Sequence, residues 1–214
     1  PGSYDISFTK DVYVGKTVEN KMEFNCVFAD HRWAISHVPS FKEEAYTSSS
    51  ENYVNKISCQ LSGFQHSVLG KGSMSSWPEF MASLLKGLDF VNEMENTGEW
   101  WPDEMKQVLK GTRTETEIAK AIYGYVSSRF THSRNGWAGK RNTLKKVAAA
   151  KTGTVVELNL LLTAMLRYVG LKADPVMLST REHGFSTESY PVIGQFNYLV
   201  CRVIKLSDYR RSEE

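Results

Sequence analysis

A chain of 214 residues and 24.2 kDa fits one large domain or two small ones. Its 26 Lys and Arg against 24 Asp and Glu leave a charge of +2, a surplus too small for a basic face, which argues against nucleic acid as the main partner. The 41% hydrophobic and 12% aromatic content supports a real core and excludes disorder; no stretch reaches the ~20 apolar residues of a membrane span, because Glu157, Asn159 and Thr163 interrupt the most apolar run, 155–166.

The chain opens Pro1-Gly2-Ser3, without Met or an apolar signal core, and reads as an expression scar. It closes on a polar run after a strand-like segment, so a piece of a longer protein is expected. In the first third, Met22, Phe24, Cys26 and Phe28 alternate with other residues at the period of a half-buried strand. Tyr53, Ile57, Cys59 and Leu61 suggest a second such strand, with Pro39 and Ser48 to Ser50 marking a loop between them. So few strands cannot cover their own apolar faces, which points to part of a β-sandwich over residues 1–75. The Gly- and Ser-rich 70–76 stretch is the best boundary, and residues 76–214 then form a second domain.

That domain opens with a helix in which Ser76 can cap, Pro78 suits the first turn, and Phe80, Met81, Leu84, Leu85 and Leu88 make one stripe. A polar link containing Trp100 and Trp101 follows. Thr114 and Glu117 form a capping box ahead of Ile118, Ala121, Ile122, Tyr125 and Val126. Thr154 and Glu157 form another, opening a helix over 154–168 that is apolar nearly all round and stops at Gly170. Such a helix is buried on every side. Strands over 173–179 and 196–203, joined by a loop with Gly184 and Pro191, complete an α+β fold.

Chemistry-bearing residues are sparse. Three cysteines (Cys26, Cys59, Cys201) make no disulfide framework and no CxxC, and the histidines at 31, 37, 66, 132 and 183 have no i, i+4 pair, so neither a metal nor a cofactor is expected. Each cysteine sits in strand alternation and reads as a small core residue. Arg181 suits a carboxylate clamp or a plain salt bridge. His183 suits a cleft edge or a solvated loop. Trp137 suits a peptide or sugar groove, or packing.

The run Lys151-Thr-Gly153-Thr-Val-Val-Glu157-Leu-Asn159, continuing to Arg167-Tyr-Val-Gly170-Leu-Lys-Ala173, resembles the core helix of the transglutaminase-like superfamily. Residues 175–181 and 195–200 resemble its next two strands, and 121–126 the helix before. The resemblance is closest to large bacterial proteins in which this core follows a β-sandwich, and it covers most of the chain from about residue 35. It implies a papain-type helix-plus-antiparallel-sheet core with a Cys at the helix start, a His on a following strand and an Asp one strand later. A helix N-terminus favours a thiolate, which is the physical reason for the Cys position. Here the Cys position falls on Val155 and the His position on Tyr198, and the Asp position falls at or beyond the chain end.

Valine has no lone pair, and a tyrosine phenol, with an ordinary pKa near ~10, is a poor base at neutral pH. Thr154 is the neighbouring hydroxyl, but a Thr nucleophile needs a base, and its spacing to Glu157 suits a cap. Two functions follow. One is a non-catalytic module for binding or scaffolding in a larger envelope protein, holding a peptide or glycan near Trp137, Thr154, Arg181, His183 and Asn197. The other is a cysteine peptidase or transglutaminase-type acyl-transfer enzyme whose nucleophile lies elsewhere in the chain. The resemblance implies a periplasmic or envelope location.

Overall fold

The computed structural model describes residues 5–19, 22–42, 44–57, 63–66, 70–73, 76–87, 102–133, 142–189 and 191–204. They fall into two compact units, residues 1–45 and 46–214. The first unit is a β-hairpin of two 15-residue antiparallel strands, β1 (Asp5–Glu19) and β2 (Met22–Ser36). The strand expected around Met22 to Phe28 is therefore the start of β2. A second layer of a sandwich is not among the described residues.

The second unit begins earlier than the Gly- and Ser-rich boundary at 70–76. Residues 49–52 belong to it through side-chain bonds: Ser49 Oγ donates to Glu182 O at 2.9 Å, and Phe185 N donates to Asn52 Oδ1 at 2.6 Å. The strand expected across 53–61 is not formed in its described part. Ser50–Asn52 is a 3-10 turn, Tyr53 and Ile57 are exposed, and residues 58–62 lie outside the described set. Alternation at 53–57 was a poor guide because neither side of that segment is covered. Short strands β3 (Gly63–His66) and β4 (Gly70–Ser73) pair antiparallel before α1 (Trp77–Gly87). Phe80 of the α1 stripe is buried and Met81 and Leu84 are half-buried, while Leu88 lies outside the described residues.

The core is built around α5 (Val155–Tyr168). Leu160, Leu161, Leu162, Ala164, Met165 and Leu166 are all buried, as the all-round apolar pattern requires. They meet Met105 of α2 (Pro102–Val108), Ile122 and Val126 of α3 (Glu115–Arg129), and Leu144 and Val147 of α4 (Leu144–Ala150). Ala173 and Leu199 close the far side from β7 (Ala173–Leu178) and β8 (Tyr198–Val203), which pair antiparallel. Periodicity alone did not reveal α2 or α4. Each is seven residues with one or two buried side chains, and each forms because Pro102 or the Thr143 cap starts it where core contact rewards it.

Gly170 ends α5 at φ +86, in the left-handed region that favours glycine, and the ends of the last turn are satisfied by Gly170 N to Arg167 O and Leu171 N to Leu166 O. Arg167 then ties the helix to the next strand. Its Nε donates to Ala173 O and its guanidinium pairs with Asp174 at 2.7 Å.

Candidate functional site

The start of α5 is held by its own capping box. Thr154 Oγ1 accepts from Glu157 N at 3.2 Å, and Glu157 Oε2 accepts from Thr154 N at 2.9 Å. Glu157 is 2% exposed, and its other oxygen accepts from Asn142 N at 2.6 Å. Thr154 is therefore a cap, with its hydroxyl engaged. Gly153 precedes it for lack of room: a Cβ there would lie 3.0 Å from Val147 Cγ1 and 3.2 Å from Glu157 Oε2.

Before Gly153 the chain makes a short strand, β6 (Thr152–Gly153), parallel to β5 (Thr131–His132). Thr131 N donates to Lys151 O, and Ser133 N to Gly153 O, fixing the approach to the helix. Lys151 turns the chain here at φ +51. Its Nζ donates to Tyr125 Oη at 2.7 Å, pairs with Glu104 at 3.3 Å and lies over the Tyr125 and Phe130 rings. Sequence reasoning missed this cluster. Its members are far apart in the chain: the packing of α2 on α3 brings Glu104 to Tyr125, and the turn after α4 brings Lys151 to both.

The hydrogen bond from Tyr125, with smaller help from Lys151, holds Glu104 below the usual carboxylate range, against a partial opposing effect of burial. A lowered carboxylate adds stability that is complete above its unfolded pKa and lost as pH falls through the folded one. Glu104→Gln is accordingly expected to flatten the acid limb of a urea-stability profile measured from neutral to acidic pH. An unchanged acid limb would show that the cluster contributes nothing. The pair is exposed enough that the effect at neutral pH is small.

Val155 is the first residue of α5 and half-buried, and its carbonyl accepts from Asn159 Nδ2 at 3.0 Å. Tyr198 opens β8 opposite Leu178 and is 37% exposed. Alternation turns Leu199, Cys201 and Val203 toward α5, so Tyr198 lies on the other side of the strand from Cys201. Cys201 lines an apolar cleft of about 270 Å³ together with Leu162 and Leu166 of α5 and Ala119 and Tyr123 of α3. Burial pushes its thiol up, with a hydrogen bond from Thr163 and the Arg167 charge offsetting part of the rise. It packs on the C-terminal half of α5, where no helix N-terminus favours a thiolate.

Of the other expected binding residues, Asn197 spends its amide inside the β7–β8 loop: its Oδ1 accepts from Thr180 N and its Nδ2 donates to Thr180 Oγ1, both at 2.8 Å. His183 Nε2 lies 2.9 Å from Gly194 O across the same loop. Arg181 is exposed on it, and Trp137 lies outside the described residues. Thus the structure brings Asn197, Arg181 and His183 into one loop, and engages two of them in holding its shape. The loop is also anchored from outside, since Trp77 Nε1 donates to Glu188 O and its ring meets Phe196 edge-on. Among the described residues no cluster of three or more His, Cys, Asp or Glu could hold a metal ion, and no helix is long and apolar enough to cross a membrane.

No curated protein matches the chain in sequence. Its structure is similar to the crystal structure of a Parabacteroides distasonis protein described as a "putative protease", with a TM-score of 0.54 at 12% identity. The likeness covers 93% of this chain and 35% of that one, so the chain spans about a third of that protein's length. The model of the transglutaminase-like superfamily matches residues 103–201, the region from α2 through most of β8. This segment, with α5 at its centre and the β7–β8 pair against it, is a transglutaminase-like core.

Proposed function

We propose that this chain is a non-catalytic transglutaminase-like module, used for binding or scaffolding within a larger envelope protein. The observation that carries the reading is the pair of side chains at the two positions the family pattern assigns to chemistry. Val155 stands at the first turn of α5 and Tyr198 at the start of β8, and neither supplies a nucleophile or an imidazole. The state of Cys201 supports the same reading, since burial disfavours its thiolate. The ligand is a peptide or glycan, with Arg181 as the polar contact. Asn197, His183 and Thr154 shape the surroundings through the bonds they already make.

The test is acyl transfer itself. Amine incorporation into a glutamine donor and cleavage of unfolded casein are both expected to stay at background. Cys201 is expected to alkylate more slowly at neutral pH than a free thiol in solution. Turnover abolished by Cys201→Ser would overturn this reading and make the chain a cysteine enzyme. Turnover that survives replacement of all three cysteines would overturn it through a different nucleophile.

A further inference from the structure

β8 pairs with β7 along one edge, and among the described residues no strand lies against its other edge. The phase of the hydrogen bonds tells which residues face that edge, because bonded and non-bonded pairs alternate along an antiparallel ladder. Ile204 N donates to Lys172 O, and Pro175, which has no N–H to give, lies opposite Cys201. Val200 and Arg202 therefore spend their backbone groups on β7, while Leu199, Cys201 and Val203 turn theirs toward the other edge. An outward row of N–H and C=O groups is a template for a further strand.

Beside the same residues lies the apolar cleft of about 270 Å³, walled by α3 and β8 and floored by Leu162 and Leu166 of α5. No residue of β7 lines it, so it opens on the outward edge of β8. Directly opposite residues of an antiparallel pair share a face. A strand added along this edge therefore points the side chains opposite Cys201 and Val203 toward α5, into the cleft. An apolar cavity of about 150 Å³ holds a benzene ring, so the cleft has room for an aromatic side chain. Its two charges, Glu115 and Lys120 of α3, are of opposite sign, which favours a neutral occupant over a charged one.

We propose that β8 and this cleft bind an extended, apolar segment of a partner polypeptide by strand addition. Backbone bonds to Cys201 and Val203 give the affinity, and the cleft chooses the side chain. A glycan has no alternating N–H and C=O groups to match the edge. The chain's own continuation does not fit either. Ten residues follow Ile204, and a turn of about two to five residues that folds them back sets Asp208, Arg210, Arg211, Glu213 or Glu214 opposite Val203 or Cys201. A charge in that position enters the apolar cleft, at a cost that a neutral side chain avoids. The strand is thus supplied by another chain. No residue of the 179–197 loop lines the cleft, so this site is separate from that loop and stands whether or not the core is catalytic.

Amide hydrogen exchange on the 214-residue chain tests it, with the blocked peptide acetyl-Lys-Val-Thr-Phe-Thr-Val-Lys-amide as the added strand. At about ten times its Kd, the peptide is expected to slow exchange at Cys201 and Val203 about tenfold. The same peptide N-methylated at its valines and phenylalanine keeps the side chains but loses the pairing N–H groups, and is expected to leave both rates unchanged. Ala119→Phe, which fills the cleft, is expected to weaken the peptide at least about tenfold with the helical circular dichroism unchanged. No slowing at about 1 mM peptide would overturn the proposal. So would equal slowing by the methylated peptide or by chitohexaose, or full binding to Ala119→Phe. If Cys201 and Val203 exchange as slowly as Val200 and Arg202 in the chain alone, its own tail or a second copy holds the edge, and the proposal fails.

Discussion

Glu157→Ala is expected to lower the stability of the core by about 3 kcal/mol, read as a fall in the urea midpoint of the helical circular dichroism signal. The carboxyl is 2% exposed and accepts from two backbone amides, Thr154 N and Asn142 N. Alanine leaves both donors without this acceptor, at about 1–3 kcal/mol for each that stays buried, and removes half of the capping box. Glu157→Gln keeps the volume and one acceptor, but sets an NH₂ against the other amide; about half the loss is expected. Equal midpoints for Glu157→Ala and the parent chain would mean that water replaces both bonds without cost. The residue that opens α5 in register would then be dispensable, and the tight fit at Gly153, 3.2 Å from the same carboxyl, would be left without its reason.

Leu161→Ala is expected to cost about 2.5–5 kcal/mol, the range for truncating a fully buried leucine, because its surroundings cannot collapse into the space. Leu161 is fully buried on a helix packed against α2, α3, α4 and the β7–β8 pair. Leu161→Met, which conserves volume, is expected to lose under about 1.5 kcal/mol. Lys120→Ala on the exposed side of α3 is expected to stay within about 0.5 kcal/mol. The three midpoints, measured under one denaturant series, check the ranking. A Leu161→Ala loss as small as that of Lys120→Ala would show that α5 is not the centre of the core.

α5 was legible in the sequence because two local rules and one compositional rule agreed on it. The Thr154–Glu157 box set its start, Gly170 its end, and an apolar run with no polar face set its burial. The α3 box at Thr114 was legible for a similar reason, its two residues lying three apart, and β7 and β8 were expected as two strands joined by a loop. The expectation that Val155 and Tyr198 stand at the two family positions rests on their spacing from Gly153 and Asn197 along the chain.

Tertiary structure alone decided what the remaining polar residues do. Asn197 and His183, read from sequence as possible ligand contacts, are engaged by Thr180 and Gly194 of their own loop. Residues 50–52 make a 3-10 turn in which Asn52 Oδ1 accepts from Phe185 N, far along the chain. The Glu104–Tyr125–Lys151 cluster has no sequence signature at all. A hydrogen-bonding side chain carries the same local pattern whether its partner is a ligand, a loop or a distant helix. Apolar residues at helical or strand spacing fix which face goes inward, whereas the partner of a polar group is chosen only when the packed elements bring one within about 3 Å.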